Sequence, residues 1–135
     1  MYQQMIFVNL ATGNLDATKK FFGELGYAIN PQFSDDTTVS IPLSEAIVVM
    51  FHTHEKYAEF TKKTIVDSTS SSEVLLALSA ESRDKVDDLV NKAVAAGGAV
   101  TGEPQDHGFM YGRAFDDLDG HTWEVVWMDA SAVEG

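Results

Sequence analysis

Residues 106–129 read DHGFMYGRAFDDLDGHTWEVVWMD, and the fold turns on this stretch. Phe109 to Phe115 has the aromatic and apolar content of a strand, and Asp116 to Gly120 is turn chemistry. Thr122 to Met128 is a second strand of β-branched and aromatic residues. The spacing predicts one β-hairpin, whose turn DDLDG tolerates left-handed backbone. Strand side chains alternate between two faces, so Trp123, Val125 and Trp127 share one, and Thr122, Glu124, Val126 and Met128 the other. Glu124 therefore projects from mid-strand among apolar neighbours. It is either a satisfied structural acceptor or the floor of a functional pocket.

Outward from the hairpin, the preceding chain supplies a second copy of the same order. Met5 to Leu10 is a strand, with Ile6, Val8 and Leu10 facing one way and Met5, Phe7 and Asn9 the other. Asn14 is suited to cap a helix from Leu15 to Leu25, striped by Leu15, Thr18, Phe22 and Leu25 and stopped at Gly26. Strands are expected at Ala28 to Phe33, Thr37 to Pro42 and Ala46 to His52, then a short amphipathic helix from His54 to Lys63. The serine-rich residues 64–72 read as a linker. Beyond it come a strand at Val74 to Ser79, a helix from Arg83 to Ala96 capped by Ser82 and ended by Gly97-Gly98, a strand near Ala99 to Thr101, and the hairpin. Strand, capped helix, glycine stop and three strands thus occur twice, which is the mark of a duplicated unit.

A strand–DxDG–strand hairpin with Glu four residues after the glycine resembles the C-terminal signature of the glyoxalase, bleomycin-resistance and extradiol-dioxygenase superfamily, the vicinal oxygen chelate fold. The form DGHTWEVVWMD is most similar to its small glyoxalase-like bacterial members. The resemblance implies an α+β fold of two βαβββ modules, residues 3–63 and 73–129, in one domain spanning 1–135. It further implies half-barrel sheets around an inner cleft, with helices outside. It also implies a homodimer, which the open edges of two sheets would favour.

Metal-dependent relatives hold one divalent ion with His or Glu from four inner strands. By spacing the four positions fall on Phe7, on Val49 or Met50, on Leu75 and on Glu124. Transition-metal sites need imidazole or carboxylate donors, and only Glu124 qualifies. No metal cofactor is expected. The fallback is a shifted site of His52, His54 and Glu124, because the two histidines stand two apart at a strand end.

The other site candidates are weighed by face and charge. Asn9 shares a phase with Phe7 and either bonds a ligand or satisfies nearby backbone. Tyr111 and Arg113 share a phase; Arg113 either clamps an anion or, the favoured reading, pairs structurally with Glu124 or with one of Asp116, Asp117 and Asp119, since an unpaired buried charge is costly. His107 reads as a loop residue and His121 as structural. The aromatics Phe7, Phe51, Tyr57, Phe60, Phe109, Tyr111, Trp123 and Trp127 are mostly core, and a subset lining the cleft would give an apolar pocket with few polar groups, the ordinary form of a small-molecule site. The candidate ligand-binding residues are Phe7, Asn9, Met50, His52, Leu75, Tyr111, Arg113 and Glu124. Glu124 is the candidate catalytic group, acting as general base or metal ligand in a lyase- or dioxygenase-type enzyme if the fold is used for chemistry. The expected partner is a small molecule.

Bulk properties narrow the classes. A formal charge of −12 leaves no basic patch for nucleic acid or an anionic membrane. Zero cysteines remove disulfides and thiol catalysis. No run approaches a membrane span, and MYQQMIFVNL lacks the features of a signal peptide. A cytoplasmic protein is expected.

Overall fold

The computed structural model describes residues 1–133. The chain divides into two compact units between Val66 and Asp67.

In the first unit β1 (Ile6–Thr12) leads into α1 (Leu15–Glu24), a 3-10 turn (Pro31–Phe33), β2 (Thr38–Pro42), β3 (Ile47–Thr53) and the short α2 (His54–Tyr57). The sheet runs β1-β3-β2, with β1 parallel and β2 antiparallel to β3. Asn14 caps α1 by accepting from the Ala17 N–H, and Gly26 follows the last turn at φ +103°. The helix buries Phe21 and Phe22 against the sheet, with the Phe22 ring 5.1 Å from Phe51. Burial of each such ring is worth roughly 2 kcal/mol. Because Phe51 and Val49 point at α1, alternation sends Val48, Met50 and His52 to the opposite face. Register places Phe7, Asn9 and Ala11 of β1, and Thr38 and Ser40 of β2, on that same open face.

The second unit repeats the plan. It contains β4 (Leu75–Ser79), α3 (Arg83–Ala95), β5 (Ala99–Val100), β6 (Gln105–Asp106), β7 (Met110–Asp116), β8 (Thr122–Met128) and the short α4 (Ala130–Val133). The order is β4-β8-β7-β5, with β6 also on β7. In both sheets the first strand lies parallel to the last, which is the duplication in three dimensions. Ser82 caps α3 by accepting from Lys85 N–H, and Val86, Val90 and Ala93 are buried against Phe115, Trp123 and Val125. The opposite face, bearing Glu124, stays open.

Two expectations give way. Ala28 to Phe33 is not a strand: Pro31 opens the 3-10 turn and Asn30 caps it by accepting from Gln32 N–H. The helix expected from His54 to Lys63 stops at Tyr57, leaving Phe60 in the loop against the His52 ring. Residues 64–72 lack regular elements, yet Asp67 to Ser71 form a turn closed by Ser70 and Ser71 N–H donating to Asp67 O.

A clamp ties the start of α3 to β6. Arg83 donates twice to the Asp106 carboxylate, both bonds 2.9 Å, and again to Gly108 O, while its guanidinium lies 5.3 Å from the Tyr111 ring and 5.1 Å from Trp127. The hydrogen bonds from Arg83, then that from Gly108 N–H, hold the Asp106 carboxyl at about 2. Its folded pKa lies below the unfolded 3.8, so this contribution is present above that value and is lost as pH falls from about 4 to about 2. Urea midpoints measured across that window should fall more steeply for the native protein than for Asp106→Asn. Equal slopes would remove the clamp from the account.

Candidate functional site

The open face of the second sheet is built from short side chains around one acid. Glu124 is paired in register with Ala114 on β7 and Ala77 on β4, and Gly112 faces Val126. On the β7 side, Gly112 and Ala114 leave a depression of about 140 Å³, bordered also by Met110, Gln105, Glu103 and Val126, with the half-buried Glu124 in its wall. A cavity of that volume accommodates a single aromatic ring. Gly112 is the residue that the strand reading passed over. A glycine inside an aromatic strand marks a place where something approaches closely, and that signal was available in the sequence.

Tyr111 and Arg113 belong to the other side of the hairpin. The Tyr111 hydroxyl donates to Asp87 at 2.7 Å, and Arg113 donates to Asp87 at 3.1 Å and Asn91 at 3.2 Å, all toward α3. The Tyr111 and Arg113 hydrogen bonds hold Asp87 below the usual carboxylate range. Arg113 borders the depression, but its guanidinium is fixed to the helix. It is a structural pair, but with Asp87 and Asn91 of α3 rather than with Glu124 or Asp116, Asp117 or Asp119, because it stands on the opposite phase from Glu124 and faces the helix.

In the first unit, Phe7, Asn9, Met50 and His52 do share the open face. Phe7 is 55% exposed, whereas His52 is buried with both ring nitrogens engaged, Nδ1 with Thr38 Oγ1 and Nε2 with Asn9 Oδ1, each at 2.7 Å. Desolvation, and secondarily the charge of Lys56, lower the His52 pKa. Thr38 was missed because only the β2–β3 register, which pairs Thr38 with His52, brings it there. The two histidines do not share a strand face: β3 ends at Thr53, and His54 opens α2. Leu75 stands exposed on β4, in the same phase as Ala77.

Of the four positions where metal-dependent relatives carry ligands, Phe7 and Met50 in the first unit and Leu75 in the second have no donor that a divalent ion takes, and only Glu124 has one. Elsewhere, Asp117, Asp119 and His121 bring potential donor atoms within 4.8 Å of one another. Asp117, however, is committed to the hairpin turn: one oxygen accepts from Asp119 and His121 N–H, the other from Trp123 Nε1–H. Burial pushes its carboxyl up, against the opposing pull of His121 and Trp123. This cluster fastens the turn. His107 is exposed in the loop before β7, its ring 6.3 Å from Phe109.

Two repeated modules, each with its first strand beside its last and a helix on one face, define a small α+β protein of the vicinal oxygen chelate type. Residues 4–125 match the family described as Glyoxalase/Bleomycin resistance protein/Dioxygenase superfamily, and the chain belongs to it. Among solved structures it is similar to hypothetical protein SA1046 from S. aureus, at 31% identity and TM-score 0.77, covering 94% of each chain. It is also similar to a glyoxalase-related enzyme from Fulvimarina pelagi, at 26% identity and TM-score 0.76, covering 93% of this chain and 88% of that one. A bleomycin resistance determinant encoded on the transposon Tn5 shares the fold at 17% identity and TM-score 0.62, over 93% of this chain and 98% of that one. A comparison with curated proteins finds no match. No described helix is long and apolar enough to cross a membrane.

Proposed function

We propose that this protein is a metal-independent, cytoplasmic binder of apolar or aromatic small molecules, held on the open sheet faces. The observation that carries the reading is the ring-sized depression beside Glu124, floored by Gly112 and Ala114. Small side chains give the ring room, and a lone carboxylate gives it polarity and charge selectivity. On the open face of the first unit Phe7 and Met50 are apolar beside the polar Asn9 and His52, and on that of the second Leu75 is exposed. Tyr111 and Arg113 support the hairpin from the helix side instead. The misfit of Phe7, Met50 and Leu75 as ligands supports metal independence.

Glu124 points the specificity toward a cationic aromatic. Benzylamine should bind with saturable heat in calorimetry, and benzyl alcohol about tenfold more weakly, since the alcohol has no charge to offer the carboxylate. Glu124→Gln should remove that preference, and elemental analysis should find no stoichiometric divalent metal. Equal affinity for the two probes, or one tightly held metal per chain, would contradict the reading. The alternative is a lyase- or dioxygenase-type enzyme with Glu124 as general base, and it draws on the same open carboxylate. It requires that any turnover found be abolished by Glu124→Gln.

The protein also works as a homodimer in this reading. Support comes from β1 and β4, each the edge of its sheet, carrying exposed Ile6 and Leu75. Sedimentation at micromolar concentration distinguishes dimer from monomer.

A further inference from the structure

On the open face of the first unit, a hydrogen-bonded line fixes the direction of one exposed amide. A carboxamide oxygen only accepts, so Asn9 Oδ1 at 2.7 Å from His52 Nε2 places the ring proton on Nε2. Nδ1 is then bare and accepts from the Thr38 hydroxyl at 2.7 Å. The neighbouring Thr37 hydroxyl is directed at Asp35 Oδ1, at 2.8 Å, and leaves this arrangement undisturbed. His52 is 3% exposed, and Phe60 packs against its ring in an edge-type contact with centroids 5.0 Å apart. Burial disfavours a charged imidazolium, so the ring keeps one donor and one acceptor.

The consequence falls on Asn9. Its oxygen is pinned inward, its side chain is exposed, and Nδ2 has no hydrogen-bond partner among the described residues. Two N–H donors are held in one orientation beside the exposed ring of Phe7 and the thioether of Met50, the register partner of Asn9. The charges near this line are already engaged. Lys56 of α2 pairs with Glu59 and lies 5.5 Å from the Phe60 ring, and Asp35, before β2, accepts from Thr37 and Thr38. A carboxylate arriving here would meet no unengaged cation and would approach a chain of net charge −12. A neutral acceptor suffers neither cost.

We propose that Asn9 is a preformed donor site for the carbonyl oxygen of a neutral aromatic ketone or amide, with His52 and Thr38 as positioning residues and Phe7 as the apolar wall. The proposal rests on the reading that the open faces take small molecules, and it names the chemistry of one of them. Pre-orientation matters because a donor that needs no reordering loses less entropy when it binds.

The test is a titration of ¹⁵N-labelled protein with acetophenone, ethylbenzene and benzoate, each to about 10 mM, a level that reveals millimolar sites. Acetophenone should move the Asn9 side-chain NH₂ pair saturably. Ethylbenzene, which lacks the acceptor, and benzoate, which carries charge, should each bind about fivefold more weakly. Asn9→Leu should erase the preference for acetophenone over ethylbenzene, at the cost in stability of an orphaned His52 Nε2–H. Long-range ¹H–¹⁵N spectra should show His52 as the Nε2–H tautomer, and His52→Gln, which can still donate to Asn9, should retain more of the preference than His52→Phe. Shifts at Phe7 and Met50 without the Asn9 NH₂ pair would overturn this proposal and leave the broader reading standing. No shift on either open face with any probe would overturn both. An Nδ1–H tautomer, which turns the Asn9 carbonyl outward, would overturn the proposal by itself.

Discussion

Gly120→Ala should cost about 3 kcal/mol and lower the melting temperature by about 10 °C. Two independent penalties add. Gly120 sits at φ +84°, where an L-residue loses roughly 1–2 kcal/mol. A Cβ there would also stand 2.5 Å from Ser68 O, 2.9 Å from Thr69 Cα and 3.0 Å from Ser68 C. Those atoms are backbone, and they are not loose: Ser68 Oγ donates to Asp119 O at 2.6 Å, and Asp67 Oδ1 accepts from Thr69 N–H. Overpacking against anchored backbone typically costs a further 1–3 kcal/mol. Gly26→Ala is the internal control. Its φ is +103°, but nothing lies within 4 Å of the added Cβ, so only the dihedral penalty of about 1 kcal/mol applies. Chemical denaturation of both variants checks the difference. If the two lose the same stability, the packing of the 67–71 turn on the hairpin turn is not as described.

Asp117→Ala should be comparably damaging, at about 3 kcal/mol, because it strands three donors, among them the buried indole N–H of Trp123. Its carboxylate accepts from Asp119 N–H at 3.0 Å, His121 N–H at 3.0 Å and Trp123 Nε1–H at 2.9 Å. Asp117 is 6% exposed and Trp123 1% exposed. Removing a buried unpaired carboxylate would relieve desolvation, but this one has three donors around it, so losing the acceptor dominates. The indole bond can be isolated by a double-mutant cycle with Trp123→Phe. In that background Asp117→Ala should cost about 1 kcal/mol less, since the orphaned N–H is gone. Strict additivity would mean that the indole bond contributes nothing.

The hairpin was legible because three signals agreed on it. The alternation of Thr122 to Met128 survives residue for residue, Asp116 to Gly120 makes the connection, and Trp123 and Val125 lie buried on the face opposite Glu124. The helix caps Asn14 and Ser82 were equally readable, since each side chain accepts from the third residue on. What the sequence hid was non-local. Residues 67–71 looked like a linker because serine and threonine suit loops, yet their backbone is what forbids a side chain at Gly120. Ala28 to Phe33 had enough apolar content for a strand, and Pro31 with its Asn30 cap redirected it. At the site, parity put Phe7 and Asn9 on one face, and the β1–β3 register adds Met50 and His52, but strand parity does not reveal which face a helix covers. Tyr111 and Arg113 turned toward α3 because Asp87 and Asn91 were there to meet them. His52 and His54 separated because parity ends where the strand does.

The most direct test of the central claim is a titration of ¹⁵N-labelled protein with benzylamine, followed residue by residue. The account predicts that the backbone amides of Gly112, Ala114 and Val126 move together and saturably, and that Glu124→Gln weakens the binding about tenfold. Amides that stay still at saturating probe, or binding that is indifferent to residue 124, would contradict it.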